Sequence, residues 1–489
     1  MAKSRPETCQ KYTVDVAGTI RDVVENLNTT MLRVAFVTEE ERVVGSVSDG
    51  DIRRAFLQGR TIESPIAEIM NRTFISAQQD SSPSELQQLF RRGIDVLPVL
   101  GDKGQLVDIR RQGANSEIIP VAEPALTNYE RDLVLEAIDS GWVSSIGQFV
   151  NDFEMEFCEY VGATEAVSVN NGTSALSLAL WALGVGPGDE VLVPDLTFGA
   201  TANAVVQCGA TPVLVDIAPD TWALNPNLLD AVLSSKTRAI IVVHLYGIPA
   251  QLDAIVAFAK THGLFVIEDC AEALGTEYQG DHVGSTTDAG TFSFFGNKTI
   301  TTGEGGMVTF KSRHHATRAR TIRSHGMSSE RRYWHEEWGT NLRLTNLQAA
   351  LGLGQLRRID DIVNRKRSLA ELYTSKLSDL LSSGLELAPE PDAGSSTVWL
   401  FTVLLPLGID PGRVSQRMLR EGVETRRVFN PLHIQPAFSQ FKLADESYDA
   451  STFVADRGLS LPSSINLTNK SIDFVAETLL RTIQEIELN

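Results

Sequence analysis

The sequence predicts an α/β protein in three parts: a duplicated small module over residues 1–115, a large domain with a mainly parallel sheet over 116–370, and a small α+β domain over 371–489. Three observations predict it. One layout of helix, strand, turn and strand occurs twice before residue 115; short apolar strands alternate with helical stretches from about residue 120 to 310; and the chain closes on a further apolar strand between helical patterns. At 489 residues, 43% apolar and 21% charged, the chain is long enough for about three domains and too apolar for wholesale disorder.

Its 43 Lys+Arg against 62 Asp+Glu leave a formal charge of -19, which argues against a nucleic-acid partner. Cys9, Cys158, Cys208 and Cys270 lie far apart without a C-x-x-C pair, and eight histidines give no H-E-x-x-H, so neither a disulfide framework nor a metal site is expected. The start, MAKSRPETCQKY, lacks an apolar core of signal-peptide length, and no stretch approaches the roughly 18 apolar residues of a membrane span. A cytoplasmic protein with no membrane partner is expected.

In the first module, TIRDVVENL, LRVAFV and VVGSV are echoed by PSELQQLF, IDVLPV and QLVDI, with Val99 falling 62 residues after Val37. Two stacked copies sharing a core would give this pattern. The first copy ends in GSVSDGDIRR, which resembles the CBS domain signature. That resemblance implies an adenine nucleotide held at Ser48 and Asp51, with Arg53 or Arg54 toward phosphate. The alternative is an Asp that caps the helix IRRAFLQG. In the second copy the equivalent positions are Arg110 and Gly113, so the signature is lost there. A linker is expected near residues 110–120, where the repeat gives way to the longer alternation.

From there EAVSVN, EVLVPD, TPVLVDI, RAIIVVHLYG, LFVIED and AGTFSFF read as strands separated by helices, the pattern of a parallel sheet covered on both faces. The spacing in RLTNLQAALGLGQLRRIDDIVNRKRSLAELYTSKL predicts one long helix, and WLFTVLLP with SQRMLREGV and a C-terminal helix predicts the small domain. In LGVGPGD, Gly184, Gly186 and Gly188 precede a strand, so they form a turn and not a dinucleotide fingerprint.

Four features converge on one chemistry. The strand VSVN turns abruptly into the apolar helix NGTSALSLALWAL, placing Gly172, Thr173 and Ser174 where free N–H groups and the positive dipole end make a phosphate cup. LFVIEDCAEA ends a strand in Glu268 and Asp269, at the sheet edge where such folds bind ligands. PDLTFGAT offers an aromatic, Phe198, and Lys298 lies in the Ser-, Thr- and Gly-rich segment TFSFFGNKTITTGEGG. A phosphate cup, a strand-end carboxylate, a stacking ring and a lysine are the requirements of pyridoxal phosphate.

GWVSSIGQFV, NNGTSAL, PDLTFGAT, VHLYG, VIEDCAEALG, SFFGNKTITTGEGGMV, RSHGM, GTNLRLTNLQAALG, PLHIQPAF and GLSLPSS follow one another over residues 118–489. In this order they resemble the DegT/StrS family of sugar aminotransferases, fold type I pyridoxal-phosphate enzymes, and most of all its 4-amino-4,6-dideoxy-sugar branch typified by GDP-perosamine synthases. The resemblance implies that Lys298 is the Schiff-base lysine, that Asp269 pairs with the protonated ring nitrogen, that Phe198 stacks on the ring, and that Thr173, Ser174 and Ser293 hold the phosphate. It puts Glu272 near the ring hydroxyl and has Asn341 reach the cofactor of a second subunit, hence a homodimer with shared sites. Leu342 and Thr340 depart from the aromatic residues that usually flank this Asn. The implied substrates are glutamate and a nucleotide-linked 4-keto-6-deoxy sugar, with ping-pong exchange. Arg343, Arg426, His325, His433, Ser144 and Ser145 are the candidates on the substrate side. A dehydratase on the same scaffold would carry histidine where Lys298 stands, and a nucleotide-sensing protein on an idle fold would not need the complete kit.

Overall fold

The structure, a computed structural model, describes residues 9–30, 32–79, five positions between 81 and 94, 96–111, 118–444 and 446–487. It divides into two compact units, residues 1–118 and 119–489. Most of PSELQQLF, Gly113 and much of the expected linker lie outside the described residues.

The first unit runs β1 (Thr13–Asp15), α1 (Ile20–Thr30), β2 (Val34–Glu39), β3 (Arg42–Ser48), α2 (Asp49–Leu57), β4 (Ala77–Gln78), β5 (Val96–Leu100) and β6 (Leu106–Arg111). In each copy a short strand lies parallel to the first long one, which pairs antiparallel with the second. The register slips after Val37 in one sheet and after Val99 in the other, 62 residues apart, so the duplication extends to a bulge. Helix α1 buries Ile20, Val23 and Leu27, one face at helical spacing, with Ala35, Val37 and Val47 of the sheet. Phe36, Val43 and Leu100 form the core common to both copies. Strands β1 and β4 are too short to show alternation in the sequence.

In the second unit α3 (Asn128–Asp139) and α4 (Gln148–Val161) lead into β7 (Glu165–Val169), α5 (Gly172–Ala182), β8 (Glu190–Pro194), α6 (Ala200–Gln207), β9 (Thr211–Val215), β10 (Thr237–Val243), α7 (Leu252–His262) and β11 (Phe265–Asp269). A hairpin, β12 (Glu277–Tyr278) and β13 (Asp281–His282), precedes β14 (Ala289–Ser293), β15 (Gly306–Phe310) and α8 (Arg313–Arg323). The large sheet has the order β7-β15-β14-β11-β10-β8-β9. Its neighbours from β14 to β9 are parallel, and β15 alone runs against both β14 and β7. Alternate residues enter opposite cores: Ile240 and Val242 join Phe153, Phe157 and Leu353, whereas Ala239 and Ile241 join Leu178, Val205 and Ala316. Burial on both faces is why these strands read as unbroken apolar runs.

The expected long helix is two helices, α9 (Asn346–Leu356) and α10 (Ile359–Lys376). Arg358 leaves helical geometry (φ -124°, ψ 24°), and Arg357 and Arg358 turn out to ion-pair Glu156 at 2.7 Å and Glu130 at 2.6 Å. Leu356 and Ile359 keep a three-residue spacing across the break, so the apolar period does not register it. Helix α10 passes through residue 370, and its Leu369 and Tyr373 already belong to the core of the small domain. That domain comprises β16 (Glu386–Leu387), β17 (Gly394–Ser395), β18 (Phe401–Leu404), α11 (Pro411–Arg420), β19 (Arg426–Arg427), α12 (Asp449–Arg457), β20 (Gly458–Leu461) and α13 (Asn469–Glu487). Its antiparallel sheet β16-β18-β20-β19 packs Val403 and Leu461 with Val414, Met418 and Leu479. Among the described residues no helix is long and apolar enough to cross a membrane.

Candidate active site

At the carboxyl edge of the large sheet, the ends of β11 and β14, the start of α5 and the loops after β8 and β14 enclose a cavity of about 700 Å³. It is lined by Gly172, Thr173, Ser174, Phe198, Asp269, Glu272, Ser293, Lys298, Trp399, Arg426 and Phe429, among others.

Helix α5 is apolar on nearly every side and buries Ala175 through Leu180, which fixes its start against the sheet. Asn171, in extended conformation, caps it by accepting the Ser174 N–H at Oδ1 (2.8 Å). The cap is therefore Asn171, one residue before the glycine. A Cβ on Gly172 would stand 2.8 Å from the Ser293 Cβ, so only glycine lets the β14 end come this close. Gly306 of β15 pairs with both Ser293 and Val169. A Cβ there would meet the Asn171 carbonyl oxygen at 2.7 Å.

Successive residues of β11 point to opposite faces. Asp269 is 6% exposed; its Oδ2 accepts from Thr201 Oγ1 (3.0 Å) and its Oδ1 from the Ala271 N–H (3.2 Å). Burial pushes its carboxyl above the usual range, against the pull of those hydrogen bonds and of Lys298. Glu268 is turned away and saturated by His244 Nε2 (2.9 Å), the Gly284 N–H (2.8 Å) and Thr287 Oγ1 (2.7 Å). The Ala250 N–H donates to His244 Nδ1 (3.1 Å), which puts the ring proton on Nε2. Cys270 lies near this pair, within 4.8 Å, but the ring nitrogens and carboxylate oxygens are already engaged, so the group reads as a structural brace and not a metal centre.

Lys298 Nζ lies 3.4 Å from Glu272 Oε1 and 3.9 Å above the centroid of the Trp399 ring. Glu272 is buried, which raises its carboxyl despite Lys298 and the Tyr246 N–H on Oε2 (2.9 Å). Tyr246 holds a left-handed backbone (φ 55°) to aim that N–H. Phe198, 62% exposed, faces the opening with Phe429 at 5.8 Å.

Of the remaining sequence-derived residues, Arg426 lines the cavity; Ser144, Ser145, His325, Asn341, Arg343 and His433 do not. Asn341 is exposed and accepts from Arg343 Nε (3.0 Å). His325 takes a left-handed backbone (φ 66°), and its carbonyl accepts from the His335 ring (2.7 Å). The Ser144 carbonyl accepts from the Asn346 N–H (2.7 Å). His433 is pinned by buried Asp195 (2.7 Å) and stacked on Tyr448. Asn171, Thr201, Tyr246, Trp399 and Phe429 were missed. Only Asn171 had a local signal, a capping residue before a helical run.

The donor set fits pyridoxal phosphate. A helix start and Ser293 form an anion cradle that a methyl group at Gly172 would fill, a buried carboxylate waits for a cationic partner, and the Lys298 amine lines the same cavity.

In the first unit Ser48, not an Asp, is the N-cap of α2, and Asp51 closes a capping box: its Oδ2 accepts from the Ser48 hydroxyl (2.6 Å) and N–H (2.8 Å). Burial opposes ionisation of Asp51, but Ser48 and Arg54 (2.6 Å) hold its carboxyl below the usual range. Both residues line a second cavity of about 520 Å³ together with Arg33, Arg53, Asn71 and Thr73.

Residues 124–480 match the DegT/DnrJ/EryC1/StrS aminotransferase family, and residues 8–58 and 66–109 match the CBS domain. A GDP-perosamine synthase of Caulobacter vibrioides is 44% identical over 363 residues, covering 74% of this chain and 97% of that protein. One from Escherichia coli O157:H7 is 41% identical over 364 residues, covering 74% and 97%. Among solved structures, S. venezuelae DesV in complex with a ketimine intermediate superposes with a TM-score of 0.68 at 34% identity, covering 73% of this chain and 94% of that one. The aminotransferase from Psychrobacter cryohalolentis superposes at 0.70 with 31% identity, covering 75% and 99%.

Proposed function

From the premise that the chain belongs to the DegT/DnrJ/EryC1/StrS family and is a pyridoxal-phosphate-dependent sugar aminotransferase carrying N-terminal CBS domains, we propose that it transfers the amino group of glutamate to a nucleotide-linked 4-keto-6-deoxy sugar. GDP is the favoured nucleotide, as the GDP-perosamine synthases suggest, and the amino sugar would serve surface polysaccharide synthesis, as the similar spore coat polysaccharide biosynthesis protein SpsC of Bacillus subtilis suggests. The observation that carries the reading is the meeting of Lys298, Asp269, Glu272 and the α5 start in one cavity.

When bound, the cofactor supplies an aldehyde carbon that exchanges amines and a cationic ring that takes up electrons. In this reading the α5 N–H groups, Thr173, Ser174 and Ser293 bind its phosphate. Asp269 accepts the ring N–H, and the energy lost in burying its unpaired charge is recovered once that cation arrives. Phe198 covers one ring face and excludes water. Glu272 orients Lys298, whose amine lifts the proton from the donor's α carbon and later returns one to the sugar carbon. The Arg426 guanidinium matches the donor carboxylate or the sugar pyrophosphate.

A homodimer in which Asn341, with Arg343, His325 and the Ser144–Ser145 loop, completes the neighbour's site accounts for their lying outside this chain's own cavity. The substrates, and four cysteines that form no disulfide, suit the cytoplasm. Ser48, Asp51 and the arginines beside them suit an adenine nucleotide that modulates the enzyme. Glutamate-dependent formation of 2-oxoglutarate across GDP-, UDP- and dTDP-linked 4-keto sugars tests the central reading; no turnover with any would remove it. Titration with AMP and ATP, following heat and rate, tests the regulatory part.

A further inference from the structure

Trp399 belongs to the small domain yet touches the amine on which the proposed chemistry turns. Its position is fixed at three points: the indole N–H donates to the Asn297 carbonyl (2.8 Å), the main-chain N–H to the Tyr246 carbonyl (3.1 Å), and its own carbonyl accepts from Lys366 Nζ (2.9 Å). Lys366 Nζ also donates to the Ser463 carbonyl (3.2 Å). Tyr246 lies parallel to the indole at 6.1 Å and 10°, and Phe429 parallel to Tyr246 at 5.7 Å and 17°. A ring 2% exposed and braced this way presents one face, and Lys298 Nζ occupies it at 3.9 Å from the centroid.

An aromatic face attracts an ammonium through its quadrupole, indole most strongly, and offers a neutral amine much less. Glu272 Oε1, 3.4 Å from the same nitrogen, has the same preference. Ring face and carboxylate therefore both attract an ammonium at the same point.

We propose that the Trp399 face is the receiving site for the Lys298 amine while it is not bonded to the cofactor. This deepens the reading of Lys298 as the Schiff-base lysine and rests on it. With the cofactor bound, an incoming donor amine would take the place of the Lys298 nitrogen on the aldehyde carbon and release the lysine as a free amine. Lys298 would then take up the donor's α proton, and its ammonium would rest over the indole beside Glu272 until it hands that proton on. No oxidant or further reactant is needed. Trp399 is on this account a positioning residue for Lys298.

The test uses protein stripped of cofactor. Wild type, W399F and W399L are treated with trinitrobenzenesulfonate near pH 8, and labelling of the Lys298 peptide is timed by mass spectrometry. Losing about 0.5–2 kcal/mol of cation–π attraction frees the amine and speeds labelling roughly 2- to 30-fold in W399L, with W399F between because it keeps a ring. Equal rates in the three proteins, or W399F labelled as fast as W399L, overturn the proposal. W399F alone decides it if W399L does not accumulate. Borohydride reduction of wild-type holoenzyme is run alongside. Failure to label Lys298 there would remove the underlying reading, whereas labelling there without the ordering among variants removes only the role of Trp399.

Discussion

Replacing Asp269 by Asn separates what this carboxylate does for the cofactor from what it does for the fold. The Asn oxygen would accept the Ala271 N–H. Its amide would donate to Thr201 Oγ1, which can pass its own proton to Thr197 Oγ1, 3.0 Å away. Every local bond then survives, and the burial that raises the Asp269 carboxyl has no charge left to act on. Because the folded pKa lies above the unfolded one, the folded chain binds more protons between the two values, and the cofactor-free wild type loses stability as pH rises through that window. D269N should unfold in urea with a flatter pH profile and no lower stability at neutral pH. Its affinity for pyridoxal phosphate should fall by the worth of one charge-assisted hydrogen bond, about 1.5–3 kcal/mol, or roughly 10- to 150-fold in Kd by fluorescence titration. If D269N binds the cofactor as tightly as wild type, or the stripped variant is destabilised by more than about 1 kcal/mol, the assignment of Asp269 is wrong.

Gly172→Ala would put a methyl group 2.8 Å from Ser293 Cβ, well inside ordinary contact. An overpacking cost of about 1–3 kcal/mol should appear as roughly 5- to 150-fold weaker cofactor binding in equilibrium dialysis. Ser48→Ala removes the two bonds of the Ser48 hydroxyl, its donation to Asp51 Oδ2 and its acceptance of the Asp51 N–H, leaves the main-chain N–H on Asp51 Oδ2, and should lower protection of the 49–57 amides in hydrogen exchange, at about 0.5–2 kcal/mol. Burial brings the Lys366 amine down from 10.5 to about 8, so the folded chain holds fewer protons than the unfolded one between those values and gains stability as pH rises through them. Lys366→Met should cancel that gain, on the order of 3 kcal/mol, in urea titrations compared at pH 8 and 10.5.

Much of this was legible because the chemistry sits where chain-local signals are strong. Apolar runs such as AIIVV and FVI declare two-sided strands, and Asp269, Ser293 and the α5 start sit at or beside strand ends. What stayed hidden depends on distance or on single dihedral angles. Trp399 comes a hundred residues after Lys298 and from another domain, so no spacing links them. The break at Arg358 is made by ion pairs to Glu130 and Glu156, partners more than 200 residues away. His433 reads as a substrate-side candidate in PLHIQ, and its hold by buried Asp195, 238 residues earlier, has no local signal. Strands β1 and β4 are too brief for any periodicity to develop.

The strand that runs backwards has a consequence for selectivity. Since β15 separates β7 from β14, the two strand ends stand about two interstrand spacings apart, near 9.5 Å, a distance dictated by backbone hydrogen bonding. The chain leaving β7 closes that distance over Gly306, a residue without a side chain, and sets Gly172 against Ser293. Exchanging Thr173 or Ser293 for residues of like size would alter how firmly an anion is gripped, whereas a methyl group at Gly172 or Gly306 would decide whether it enters at all.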